Sequence, residues 1–545
     1  MGPARRRAQE SSDEFEESSS ESDFNPEEDE VSPPPQLMPT KTRKSRRGQP
    51  VENAVIAQEP PAFKRESSAK PGSKDSLRDR FEFFFTSDEK RLVKAVRDRI
   101  TWGHIPFAPD RSLYSVLAPE KGSHISSFAS VNLTGAPAPP SGSPIVFEDA
   151  TLYPGLTHQA KRVLLANFGH PVSCIAWAPY HEDDSQFLAL GIVSGQKSPL
   201  DRNAVDPDLA VFSETGDLPA IFYIYSFNPS TEALNLLATF SCNFGPVVSF
   251  AWRPVESSRE LAVVFQRGQM ALIKADESGS FQIEDNVFQL PSKITCCAWR
   301  SCDELVVGTL AGELAEFKVD DGTAPSYVYT FSSSPISAIQ TCYPDNSNFV
   351  FFSSMDGYSK IVDVRDLRHV RATVSQRART FYTQAAWSPF VNSFVSCDDS
   401  VLSRLVPLIH SEVILLGLNM TRHKSTVTAL AASPVHPMVL TGGIDGSVRI
   451  ANAVTRAMVV KRAAKPPTEA IVWTLECSEA TSTYRFVENL AVEPLGKPPA
   501  ASEKLVLFPK TCTITSIDWI VSRAHGGWYA AATASGLVRI ECLDQ

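Results

Sequence analysis

One unit recurs down this chain and constrains it more than any other feature. It is an apolar residue, three mostly small or apolar residues, Ala-Trp or an equivalent, and often Pro. It reads VSCIAWAP (172–179), VVSFAWRP (247–254), ITCCAWR (294–300), YTQAAWSP (382–389), VTALAASP (427–434) and ITSIDWI (514–520), with a weaker ISAIQTCYP from Ile336. The Trp-equivalent positions are Trp177, Trp252, Trp299, Thr341, Trp387, Ala432 and Trp519. Their middle intervals of 47, 42, 46 and 45 residues match one four-stranded blade each, whereas the first and last, 75 and 87, each need an insertion. Self-similarity at this period means that one supersecondary unit is repeated and that neighbouring units bury each other's faces.

Each unit continues with a second apolar run, such as FLALG, LAVVF, LVVGT, FVFFS, FVSC, MVLTG and YAAAT. In four units a tight turn and a third strand follow, with Gly312, Gly357, Gly446 and Gly536 at the same turn position. A hairpin there needs a positive φ, which glycine accepts at least cost. The expected fold is therefore all-β: a single seven-bladed, WD40-like β-propeller. The last unit has only three strands before the sequence stops, and RVLLAN (162–167) stands before the first unit with no blade of its own. Pairing the two removes an open edge and closes the ring.

What precedes the ring differs in kind. Residues 10–30 hold eleven Asp or Glu and no Lys or Arg, and the sign then reverses at Lys41, Arg43, Lys44, Arg46 and Arg47. Neither block offers enough apolar area to offset the entropy of ordering it. We read 1–78 as a disordered acidic and basic tail, 79–160 as a helix-containing arm and linker, and 161–545 as the propeller, with insertions near 192–220 and 456–510. The arm opens with a capping box at Thr86–Glu89, and Leu92, Val93, Val96 and Ile100 then share one helical face. Around them stand Phe83, Phe84, Trp102 and Phe107, too apolar for water. They cover either the propeller's own flank or another subunit. In the second insertion YRFVENLAVEP carries Phe486, Val487 and Leu490 bracketed by charge, which either dock a partner or fold back on the side of their own blade.

The residues that chemistry requires are not arranged for it. No Walker loop, GxSxG, HExxH or zinc-ligand spacing occurs, so neither enzyme activity, cofactor nor metal is expected. Ten cysteines, all at or after Cys174 and none in a CxxC pair, suggest reduced, buried thiols. No apolar run reaches membrane-spanning length, and no secretory h-region opens the sequence. His170 and His423 precede inner strands and read as structural, and Asp356 and Asp445 read as turn formers. The basic run is a nuclear-import signal, a contact to DNA phosphates or a solvated spacer.

Within the propeller class, MDGYSKIVDVRDLR (355–368), RTFYTQAAWSP (379–389), SCDDSVLSRLVPL (396–408), GHPVSCIAWAP and GPVVSFAWRP resemble the WD40 subunit in the tau-B lobe of RNA polymerase III transcription factor TFIIIC. The resemblance covers 162–545. It implies a non-catalytic nuclear scaffold in B-box promoter recognition at tRNA genes. It also implies two partners: a second WD40 propeller subunit and the largest, DNA-binding subunit, with DNA reached through the complex. Neither a membrane nor a small-molecule substrate enters that picture. Two alternatives stand beside it. Val362-Asp363-Val364-Arg365 approximates the box by which WD40 substrate receptors dock a cullin ligase adaptor, and a histone-binding propeller would need an acidic, aromatic-lined central channel.

Overall fold

The computed structural model describes residues 144–147, 151–160, 162–182, 185–193, 218–255, 259–275, 279–368, 370–375, 384–397, 401–408, 418–457, 468–478, 483–488, 492–494, 508–522 and 525–543. The acidic and basic tail, the helix at 86–100, and Phe83, Phe84, Trp102, Phe107 and Leu490 lie outside the described residues. Helix among the described residues amounts to the turn Ala453–Ala457 and the 3-10 turns Val319–Asp321 and Lys510–Cys512.

Short apolar strands pair in chain order into seven sheets. Their inner strands are Val172–Glu182, Val247–Trp252, Ile294–Trp299, Ile336–Cys342, Ala385–Ser388, Val427–Ala432 and Ile514–Trp519. Each inner strand neighbours the next, and the last neighbours the first, so the sheets form a closed propeller whose blades we number from one to seven. Because successive side chains of a strand point to opposite faces, a blade buries both faces against its neighbours. The core is accordingly divided among the seams: Phe222, Trp252 and Phe281 lie between blades one and two, Phe288, Trp299 and Phe317 between two and three, and Phe351, Trp387 and Phe394 between four and five.

The recurring tryptophans mark those seams. Trp177, Trp252, Trp299, Trp387 and Trp519 are all buried. Trp252 Nε1 donates to the carbonyl of Ala176 at 3.0 Å and Trp299 Nε1 to that of Ala251 at 2.9 Å. Trp387 Nε1 reaches Asp345 Oδ2 at 2.8 Å. In these three blades the indole fills a seam and hands its one donor to the preceding blade, and few side chains do both, whereas Trp177 and Trp519 fill their seams with no partner at Nε1. Where the repeat lapses at Thr341, the hydroxyl still donates to Trp299 O at 2.6 Å. The Arg after Trp in blades two and three is a second clamp. Arg253 donates to Cys302 O and Arg300 to Ser347 O, and both are paired with buried glutamates, Glu260 and Glu316.

The ring closes on a strand from before blade one. β4 (Val163–Asn167) pairs antiparallel with Leu537–Cys542, with Leu537 opposite Asn167 and Glu541 opposite Val163. Gly536, at φ +91°, lies so close to the next loop that a Cβ would sit 2.6 Å from His170 O. The stretch 145–160, assigned to the linker from sequence, carries three further strands. β1 (Ile145–Phe147) runs parallel to Thr483–Val487, β2 (Thr151–Leu152) pairs with β1, and β3 (Thr157–Ala160) pairs with β4 as the fifth strand of blade seven. These strands are too short, and β1 pairs too far along the chain, to leave a local sequence signature.

Candidate interaction surfaces

The second insertion is built into the flank where blades six and seven meet. Thr468–Ser478 is the outer strand of blade six, and Thr483–Val487 folds back on it, with Thr474 opposite Val487 and Cys477 opposite Tyr484. Phe486 points inward: its ring lies 5.3 Å from that of Trp473, edge-on, and 6.0 Å from that of Phe147, stacked. Val487 is half-buried. Of the seven docking candidates from sequence, these two are the only ones among the described residues.

Beneath Phe486 lies a buried charge network. Trp473 Nε1 donates to Tyr529 Oη at 2.7 Å, and that hydroxyl donates to Glu541 Oε2 at 2.6 Å. Arg539 Nε also reaches Glu541, at 2.9 Å, and its two Nη atoms hold Glu488 at 2.8 and 3.3 Å. The guanidinium stands 5.2 Å from the Trp473 ring centroid and 4.9 Å from that of Phe486. Burial works against the charge on Arg539, but Glu541 and Glu488 more than offset it and hold the guanidinium firmly protonated. Phe486 and Glu488 therefore cap an arginine that would otherwise face solvent. Outside this cap the apolar side chains are uncovered. Tyr153 is 57% exposed and Leu156 55%, both in the turn between β2 and β3, with Val146 beside them on β1. Sequence reading passed over these three, although apolar residues flanking Pro154-Gly155 in a polar stretch were the available signal.

A second feature lies on the axis. The inner strands enclose a cavity of about 330 Å³ whose lining includes Ser173, Phe250, Thr295, Gln340, Gln384, Ser516 and Asp518. Several of these polar groups knit neighbouring inner strands. Ser516 Oγ accepts from Ile175 N at 3.2 Å, and Asp518 Oδ2 accepts from Trp177 N at 2.7 Å, both across the closure seam. Thr428 and Thr295 hydroxyls donate at 2.5 Å to Ile514 O and Ile336 O of the following blades.

The remaining sequence candidates are structural in their contacts. In blade six His423 Nδ1 lies 3.1 Å from Asp445 Oδ1 and Nε2 lies 2.8 Å from Thr441 Oγ1, while Asp445 also accepts from Ser447 N and Lys424 N. The neighbouring His423 and these donors outweigh burial and hold Asp445 well below the usual carboxylate range. Asp356 accepts from Tyr358 N at 3.0 Å within its turn. Asp363 takes the Nε and Nη2 of Arg365 at 2.9 and 2.8 Å, so the Val362–Arg365 box is folded onto itself. Burial pushes the thiols of Cys174, Cys296 and Cys512 up to about 12, far from thiolate reactivity. Among the described residues no group of His, Cys, Asp or Glu is placed to hold a metal, and no helix is long and apolar enough to cross a membrane.

The WD domain, G-beta repeat model matches residues 416–452, which take in the outer strand of blade five and the first three strands of blade six. The transcription factor tau 91 kDa subunit of Saccharomyces cerevisiae is 25% identical over 418 residues, 73% of this chain. The transcription factor tau subunit sfc6 of Schizosaccharomyces pombe is 24% identical over 409 residues, 70% of this chain. The chain is similar to transcription factor tau subunits. It spans 60% of the length of the first relative and 65% of the second.

Proposed function

We propose that this chain is a non-catalytic scaffold subunit of a TFIIIC-type factor that acts in the nucleus at RNA polymerase III genes. The observation that carries this reading is the similarity to two tau subunits over 70% or more of the chain. A ring whose seams are filled by tryptophan and clamped by buried Arg–Glu pairs is a rigid platform, and rigid platforms suit subunits that hold others in register. On this reading B-box recognition belongs to the complex. The propeller contributes protein contacts to a second propeller subunit and to the largest, DNA-binding subunit. The run Lys41, Arg43, Lys44, Arg46 and Arg47 draws in DNA phosphates or serves import.

The flank of blades six and seven is the proposed dock for the second propeller. Tyr153, Leu156 and Val146 offer exposed apolar area there, and Phe486 and Glu488 hold the underlying strands in place. The arm with Phe83, Phe84, Trp102 and Phe107 is the second proposed contact, and Val487 and Leu490 remain docking candidates from the sequence. The test is affinity purification of the tagged chain from nuclei, followed by the same experiment with Tyr153→Asp and Leu156→Asp combined. Recovery of RNA polymerase III factors, with loss of one propeller subunit in the variant and an unchanged melting transition, supports the proposal. Recovery of a cullin adaptor or of nucleosomes in their place overturns it.

A further inference from the structure

Asp518 is out of pattern. At the position before the Trp-equivalent the other inner strands carry Ala176, Ala251, Ala298, Gln340, Ala386 and Ala431, all uncharged. Blade seven puts a carboxylate there. Its two oxygens accept one backbone N–H each, from Trp177 at 2.7 Å and Trp519 at 2.9 Å. A carboxylate has about four lone-pair sites, so half its accepting capacity is left.

No charge answers it from the elements around it. The described residues that line the cavity include no Lys, Arg, His or Glu, and Asp518 is the one acid among them. The other titratable groups of the lining are thiols: Cys174 and Cys296, pushed up to about 12 by burial, and Cys297, pushed up likewise. Against the Trp519 indole pack His436, edge-on at 4.5 Å and pushed down to about 4 by burial, hence neutral, and Tyr529, edge-on at 5.6 Å and pushed well up by burial, hence also neutral. Burial pushes Asp518 itself up to about 7, against the pull of its two N–H donors. That is the behaviour of an anion short of a partner. The cavity of about 330 Å³ beside it is larger than one long side chain and is lined by Ser, Thr and Gln that can solvate an N–H fork.

We propose that the axial cavity receives one alkylammonium or guanidinium group, the side chain of a lysine or arginine from a partner protein, with Asp518 as its counter-charge. The site needs no assumption about which complex the chain enters, so it stands or falls apart from the scaffold reading above. Ionised Asp518 attracts the cation and protonated Asp518 does not. Affinity is therefore present above pH 7 and falls as the pH drops through it, about tenfold between pH 8 and pH 6.

The experiment is saturation-transfer NMR on the full chain with capped lysine (N-acetyl-lysine methylamide), butylguanidinium, uncharged n-butanol and spermidine. We expect the two monocations to bind at pH 8, weaken about tenfold at pH 6, and lose binding in Asp518→Asn, which keeps an oxygen for Trp177 N. Equal binding of n-butanol, pH-independent binding, or full binding by a folded Asp518→Asn variant overturns the assignment. Spermidine binding more than about tenfold tighter than capped lysine assigns the site to free polyamine and overturns the partner side chain. Should Asp518→Asn fail to fold, the comparison of charged and neutral probes and the pH dependence in the natural chain decide alone.

Discussion

Shaving β4 tests the closure directly. β4 is sandwiched between two seams: Leu164 and Ala166 face Trp177, Leu188, Leu190 and Trp528 in the seam with blade one, and Leu165 packs half-buried on the blade-six side. Leu164 is 3% exposed, inside a seam of large side chains that have no room to collapse. Leu164→Ala is therefore expected to cost about 2–5 kcal/mol, toward the upper end. Leu165→Ala removes the same atoms from a half-exposed site and should cost less than half as much. A domain's net stability is of the order of 5–15 kcal/mol, so the first change removes a large fraction of it. Urea denaturation followed by tryptophan fluorescence reads both. Because Trp177 and Trp528 line this seam, the early part of the transition should show in their emission. Deleting residues 1–75 should leave the midpoint where it was. Leu164→Ala melting like the natural chain, or Leu165→Ala costing more, would refute the claim that β4 is the keystone of the ring.

Arg539→Met strands Glu541, 3% exposed, without its cation and should cost about 3–5 kcal/mol, whereas Glu488→Gln, whose side chain is 55% exposed, should cost under about 1 kcal/mol; thermal melts separate the two. Trp252→Phe keeps most of the seam filled but leaves Ala176 O without its donor, for an expected loss of about 1–3 kcal/mol by denaturant midpoint. His436 is pushed down to about 4 in the fold, so the folded chain binds fewer protons than the unfolded one between that value and the ordinary 6.5. Its contribution is whole above pH 6.5 and is lost as the pH falls toward 4, by about 2 kcal/mol at pH 5. Stability measured across that window should lose this slope in His436→Gln.

The parts of this fold that could be read from the sequence are those where one residue type answers two local demands. Tryptophan recurs because it fills a seam, and in three blades it also donates to the blade behind it; Thr341, aligned from the repeat register, makes the same kind of bond. The closing strand was legible because an unpaired edge had to be covered and 162–167 had nowhere else to go. β1 to β3 were not legible: two to four residues each, in a stretch rich in Pro and Ser, with β1 paired parallel to a strand more than 330 positions away. Phe486 shows a different limit. Its apolar run fits an exposed dock and an inward cap equally well, and only Trp473 and Arg539 beneath it decide its direction. Asp518 was visible as an acid where other repeats carry alanine, yet its meaning depends on a cavity that no single strand contains.

The pairing of β4 with Leu537–Cys542 also sets a schedule. β4 leaves the ribosome early, and the strand it must join emerges about 370 residues later; at roughly 5–20 residues per second that is a wait of about 20–75 seconds. Throughout it, blade one stands with one seam open and Trp177 uncovered. Apolar surface exposed for that long is what chaperones cover, so the nascent chain is expected to need one until Leu537–Cys542 has emerged. A chain broken off before Leu537 would carry six complete blades and still be unable to shut.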